Sequence, residues 1–248
     1  MKRILTILVP IFLYPQSGLE IAKMLDQKSA PKDLSNKTRM ILTNSKGKSR
    51  TNEMVSKSIN KNKKQMIWFL EPKDDRGVSF LKVEHDDGED EMRMWLPAFK
   101  RVRRISAKKK GDSFMGSDLS FEDLSNRDFK YNNYKRLDDQ IVNKVDCFVL
   151  ETQPKKEAKS SYSKHVSWID KKTLNLIKEN SYDKRGELEK DKVFEYESMK
   201  SYYVLKRVFV NNLLKQHSTE IIFTDIVADE GIEDGLFHEK NLKRLPRE

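Results

Sequence analysis

The sequence predicts a mainly β protein: an antiparallel meander of about eleven strands, bent into a curved sheet or barrel, with two or three helices. Three observations carry that expectation. Polar and apolar residues alternate with period two, as where Thr38, Met40, Leu42 and Asn44 interleave with Arg39, Ile41 and Thr43, the pattern of a strand with one buried face. Short polar turns separate the alternating runs, among them Lys46-Gly47-Lys48, residues 61–64, Asp86-Asp87-Gly88 and residues 183–186. Turns this short return an antiparallel neighbour, whereas a parallel sheet needs long crossovers.

Taken in order, residues 19–28 read as an amphipathic helix, with Ile21, Met24, Leu25 and Lys28 on one stripe and Pro31 beyond its end. Strands follow at 38–44, 50–59, 65–70, 77–84 and 91–96, the last stopped by Pro97. Further strands are expected at 129–137, 146–152, 165–170, 174–182, 192–197, 202–211 and 219–227. A short helix is expected at 234–245. Residues 99–128 do not fit the meander, and long ordered connections of this kind are commonly functional or mobile.

The first residues address the chain. Lys2 and Arg3 precede an apolar run at 4–14, and Gln16, Ser17 and Gly18 follow. That order is a secretory signal of the Sec type, expected to be cleaved after residue 18 to leave one domain at 19–248 in the periplasm. The run is about half the roughly 20 residues that a spanning helix needs. Cys147 is the only cysteine, so no intrachain disulfide forms and no cysteine near the cleavage site can take a lipid. The formal charge is +10, or +8 once Lys2 and Arg3 are removed. With export, such a charge points away from nucleic acid and towards anionic lipid or an acidic partner.

Catalytic and metal signatures are not found. The acidic stretch 84–91 lacks the order of a calcium loop. His85, His165, His217 and His238 show no ligand spacing, and Glu122 and Asp123 are adjacent, so they diverge on most backbones. No nucleophile elbow, phosphate loop or zinc helix motif occurs. No cofactor is expected, and the chain reads as a non-enzyme.

The long connection carries a family resemblance. Trp95-Leu96-Pro97-Ala98-Phe99-Lys100-Arg101-Val102-Arg103-Arg104-Ile105, then Gly111-Asp112-Ser113-Phe114-Met115-Gly116-Ser117-Asp118, then Phe121-Glu122-Asp123-Leu124 resemble the signature of the outer membrane lipoprotein-sorting protein family, which is LolA-like. Arg39-Met40-Ile41-Leu42, Ser49-Arg50-Thr51, Trp168-Ile169-Asp170, residues 182–186 and residues 236–242 extend the resemblance outward. It implies a half-open, strongly curved sheet with helices plugging the concave side. It also implies a periplasmic, monomeric carrier of lipid or lipoprotein acyl chains. Such a carrier touches membranes transiently and can work with an RND-type transporter.

An oily inner face would suit that role without catalysis, because each buried methylene contributes roughly 0.8 kcal/mol. The candidate pocket residues are Met66, Trp68, Phe80, Leu81, Met92, Met94, Trp95, Val149, Trp168 and Ile177, each of which could equally be ordinary core. Phe114 and Met115, beside Gly116, are candidates for a flap over the pocket mouth. Lys100, Arg101, Arg103 and Arg104 are candidates for headgroup or partner binding, or else a charged edge that discourages aggregation. Two non-enzymatic readings follow: a lipid carrier, and an adaptor that docks on an envelope transporter without cargo.

Overall fold

The computed structural model describes residues 16–86 and 88–246. Most of the expected leader therefore lies outside the described residues. Helix α1 (Gly18–Gln27) is the first element among the described residues. Ser17 caps it: its Oγ accepts from the Glu20 N–H, and the Glu20 carboxylate accepts from the Ser17 N–H at 2.6 Å, which satisfies two otherwise orphaned donors. Ile21 and Ala22 face inward and pack on Phe148, Leu150 and Ile169.

Thirteen strands follow: β1 (Asp33–Thr43), β2 (Ser49–Ile59), β3 (Lys64–Glu71), β4 (Ser79–Val83), β5 (Glu91–Leu96), β6 (Arg101–Arg104), β7 (Asn132–Val142), β8 (Val145–Pro154), β9 (Lys164–Asp170), β10 (Leu176–Tyr182), β11 (Leu188–Met199), β12 (Tyr202–Asn212) and β13 (His217–Ala228). They form one sheet in the order β6-β5-β4-β3-β2-β1-β13-β12-β11-β10-β9-β8-β7. Every neighbouring pair is antiparallel, and β1 with β13 is the one pair not consecutive in sequence. The sheet is therefore open, with β6 and β7 as its two free edges. Among the described residues the strands number thirteen rather than about eleven; β6 lies inside the stretch 99–128, whose charged sequence carries no alternating pattern.

Period two sorts the side chains onto two faces. Met40, Leu42, Met54, Ile67, Phe69, Phe80, Met92 and Met94 lie on the inner, concave face of β1–β5 with Val208, Val210 and Ile221 from β12 and β13. Val55, Met66, Trp68, Leu81, Val83, Trp95 and Val102 lie on the outer face, where Phe237 and Leu242 cover them.

The helical expectations need correction. Among the described residues α1 is the one α-helix. The C-terminal segment forms two single 3-10 turns, Asp234–Leu236 and Glu239–Asn241, and runs along the outer face. A continuous helix would rotate Phe237 and Leu242, five residues apart, onto different sides. The looser path lets both anchor beside Trp68, while Ser79 Oγ donates to the Leu242 carbonyl at 2.5 Å. The concave side is plugged mainly by the connection between β6 and β7, not by helices. That connection joins the two free edges and sends Ile105, Phe114, Leu119 and Phe121 into the inner cluster.

Candidate functional site

The inner face is divided into three parts. Under β1–β5 it is filled. Phe114 sits 5.9 Å from Phe69, 5.3 Å from Phe80 and 5.7 Å from Phe121, ring centre to ring centre. Asp118 pins this plug to β13: its carboxylate accepts from Thr219 Oγ1 at 2.7 Å and lies 2.7 Å from His217 Nδ1.

Beside the plug lies a buried charge network. Asp123 meets Lys192 at 2.5 Å and Lys190 at 3.0 Å. Glu179 on β10 meets Lys192 at 3.3 Å and takes a two-pronged bond from Arg127, at 2.6 and 2.8 Å. Burial opposes the charge on Asp123, but Lys192 and Lys190 hold its carboxyl well below the usual range. Glu179 behaves alike: burial is outweighed by Arg127 and Lys192. Tyr162 OH lies 2.5 Å from Lys190 and 2.7 Å from Asp123. Burial and the Asp123 charge push its phenol far up. His165 is 2.9 Å from Ser181 Oγ. Burial, with Arg127 nearby, pushes its pKa down to about 3, so it stays neutral.

The third part is hollow. A cavity of about 620 Å³ opens between α1, the 28–33 loop and the inner face. Leu25 and Ala22 of α1, Leu34 of β1, Tyr134 of β7, Leu150 of β8, Ile169 of β9, Leu176 of β10, Tyr196 of β11, Val204 and Leu205 of β12 and Phe223 of β13 line it. Apolar atoms make up most of its exposed wall, but polar and charged side chains border it in about equal number, among them Asn36, Gln65, Thr152, Arg127 and Glu179. Lys28, Lys32, Lys61 and Lys63 line it too, together with Asp26 and Asp33. Lys28 bonds to Asn175, and burial lowers its pKa against the raising influence of Asp170. The volume lies within the range of about 300–1,000 Å³ typical of small-molecule sites.

The residues singled out from sequence are placed elsewhere. Phe80, Met92 and Met94 belong to the filled inner cluster, with Phe114 buried in the plug and Met115 packed against it. Met66, Trp68, Leu81 and Trp95 are on the outer face under the C-terminal segment. Val149 and Trp168 pair across β8 and β9 on the outer face too, Trp168 donating to Gln140 at 2.8 Å. Ile177 sits at the bulge of β10. None of these residues lines the cavity.

The basic cluster is split by the pleat. Arg101 and Arg103 are opposite Leu96 and Met94, and so share the inner face. Arg104 is opposite Arg93 on the outer face, with Glu89 at 3.8 Å. Lys100 occupies the β5–β6 turn, and Arg101 stacks 5.3 Å over Phe99, which is 66% exposed.

Sequence reasoning missed Arg127, Glu179, Lys190 and Lys192. One signal was present: Lys190, Lys192 and Phe194 alternate on one face of β11, so two lysines share the inner side with a phenylalanine. Among the described residues no group of three or more metal-ligating side chains occurs. No described helix is long and apolar enough to cross a membrane.

Comparison with known proteins finds the same open, curved antiparallel sheet, a LolA-like fold. An outer membrane lipoprotein-sorting protein domain from Vibrio parahaemolyticus is similar at 34% identity and TM-score 0.86, over 92% of this chain and 98% of that one. A DUF1329 family protein from Desulfovibrio piger matches at 30% identity and TM-score 0.85, over 91% and 97%. A LolA superfamily protein from Nitrosomonas europaea shares the fold at 14% identity and TM-score 0.72, over 91% and 99%. A family model described as an uncharacterized protein matches residues 61–244. No curated protein matches. The chain belongs to the outer membrane lipoprotein-sorting protein family.

Proposed function

We propose that the protein is a periplasmic carrier that takes an acyl chain of a lipid or lipidated protein into the cavity beneath α1 and moves it across the envelope. The observation that carries this reading is the apolar cavity itself, about 620 Å³, walled by Leu25, Leu34, Leu150, Ile169, Leu205 and Phe223. An acyl chain is the simplest ligand for such a wall. At roughly 0.8 kcal/mol per methylene, a long chain contributes on the order of 10 kcal/mol before ordering costs. The four lysines in the lining outnumber Asp26 and Asp33 and favour an anionic or phosphate-bearing end. The secretory pattern at residues 1–18 supports export to the periplasm, and the Vibrio relative carries the lipoprotein-sorting name. No catalytic step is needed for this role.

The test is blockade. Leu205→Trp and Leu34→Trp each place an indole in the cavity. Either should reduce binding of a fluorescent fatty acid at least tenfold while secondary structure is retained. Unchanged binding in both would remove the cavity from the account.

A second reading is an adaptor that docks on an RND-type transporter. The exposed Phe99 with Lys100, Arg101 and Arg103 at one hairpin end favours it. Reversing Arg101 and Arg103 to Glu should then abolish capture of the transporter and leave fatty-acid binding intact. Loss of fatty-acid binding instead would assign the cluster to the cargo.

A further inference from the structure

The apolar cavity has a neighbour. A second cavity of about 760 Å³ lies on the other side of residues 126–129. Asn126, Arg127 and Phe129 line both, and so do Asp26 and Lys63. The second cavity occupies the seam where the sheet fails to close. Arg104 at the end of β6, Asn132 at the start of β7 and Pro154 at the end of β8 all border it.

Its wall is more polar than that of the first. Glu84, Asp90, Glu122, Lys110 and Lys159 border it, so both signs of charge are present. Several are already paired, as Lys110 is with Asp90 at 2.9 Å. Such a wall of both signs, rich in donors and acceptors, suits neither a hydrocarbon nor a bare anion. It suits a head that carries both charges.

Asn126, Arg127 and Phe129 face both cavities, two polar side chains and one aromatic ring. Asn126 donates to Glu84 from its backbone at 2.8 Å and from its side chain at 2.9 Å. The Arg127 guanidinium, 36% exposed, reaches Glu179 on the apolar side. A ligand lying across Arg127 would have a hydrogen-bonding contact midway between oil and polar surroundings.

Building on the acyl-carrier reading, we propose that the cargo is a single-chain amphiphile with a zwitterionic head, the chain in the first cavity and the head in the second. A free fatty acid would fill only the first.

The test compares palmitate with palmitoyl lysophosphatidylethanolamine, each titrated below its micelle concentration. The wild type should bind the lysophospholipid at least tenfold more tightly. Ala107→Trp and Ala158→Trp fill the second cavity from two separate surface turns. Each should weaken the lysophospholipid at least fivefold and leave palmitate unchanged. Equal binding of both ligands, or no effect of either tryptophan, overturns this inference and leaves the acyl-carrier reading standing. Failure to bind either ligand overturns both.

Discussion

Arg127 and Glu179, from a loop and a strand 52 residues apart, face each other across the interior with two parallel bonds, Nη1 to Oε2 at 2.6 Å and Nη2 to Oε1 at 2.8 Å. This pair ties the end of the long connection to the far half of the sheet. Arg127→Ala leaves Glu179, 3% exposed, with Lys192 as its remaining cation. The expected loss is about 2 kcal/mol, below values for fully buried pairs because the guanidinium is partly in water. Urea unfolding measures it. The double variant Arg127→Ala with Glu179→Gln should recover part of the loss; an unaltered midpoint in the single variant would contradict a structural pair.

His165 makes stability depend on pH. Its folded pKa, about 3, lies below the unfolded value of about 6.5. Between those values the unfolded chain takes up a proton that the folded chain refuses, so stability falls as pH drops. Below about pH 6.5 the slope approaches about 1.4 kcal/mol per pH unit for one group. The depressed carboxyls of Asp123 and Glu179 add to the loss only below about pH 4, where their unfolded counterparts protonate. Unfolding curves at pH 7, 6 and 5 check this. His165→Gln should flatten that window while leaving the steeper loss near pH 4.

The plug and the cavity should separate by mutation. Phe114→Ala removes a ring from a four-ring cluster with Phe69, Phe80 and Phe121. It should cost about 3–5 kcal/mol. Because Phe114 does not line the apolar cavity, fatty-acid affinity of the folded fraction should change less than twofold. A large change would make the plug part of the cargo site.

Much of the fold is legible because a strand with one buried face writes its pattern at period two. The hairpin of β1 and β2, the β3–β5 meander and α1 all follow from local alternation and capping. The same rule shows why the expected pocket residues do not form a single surface. Phe80 and Leu81, like Met94 and Trp95, are adjacent on a strand and point to opposite faces. Both faces of this half are apolar because the C-terminal segment covers the outer one and the plug covers the inner one. The cavity lies instead against β7–β13 and the adjoining ends of β1–β3, and the inner face of β7–β13 carries Ser167, Glu179 and Lys192 among its leucines and tyrosines. Those charges read as solvated until Asp123 and Arg127, distant in sequence, arrive to pair them.

The start of the chain offers a further check. Ser17 and Glu20 form the reciprocal cap of α1, and a Cβ on Gly18 would lie 2.9 Å from the backbone nitrogen of Arg136. A cut after residue 18 would remove both features. Under the proposed export, N-terminal sequencing of the processed protein should therefore place its first residue at or before Ser17. Ser17→Ala should lower stability by about 1 kcal/mol, and Gly18→Val should cost more by pushing the helix off β7.

The most direct test is native mass spectrometry of protein purified from the envelope fraction without detergent. An adduct with the mass of a single-chain lipid is expected in the wild type, and it should be missing from Leu205→Trp and Leu34→Trp. Wild-type protein that is empty even after incubation with lipid, or an adduct that survives both substitutions, would contradict an acyl cargo beneath α1.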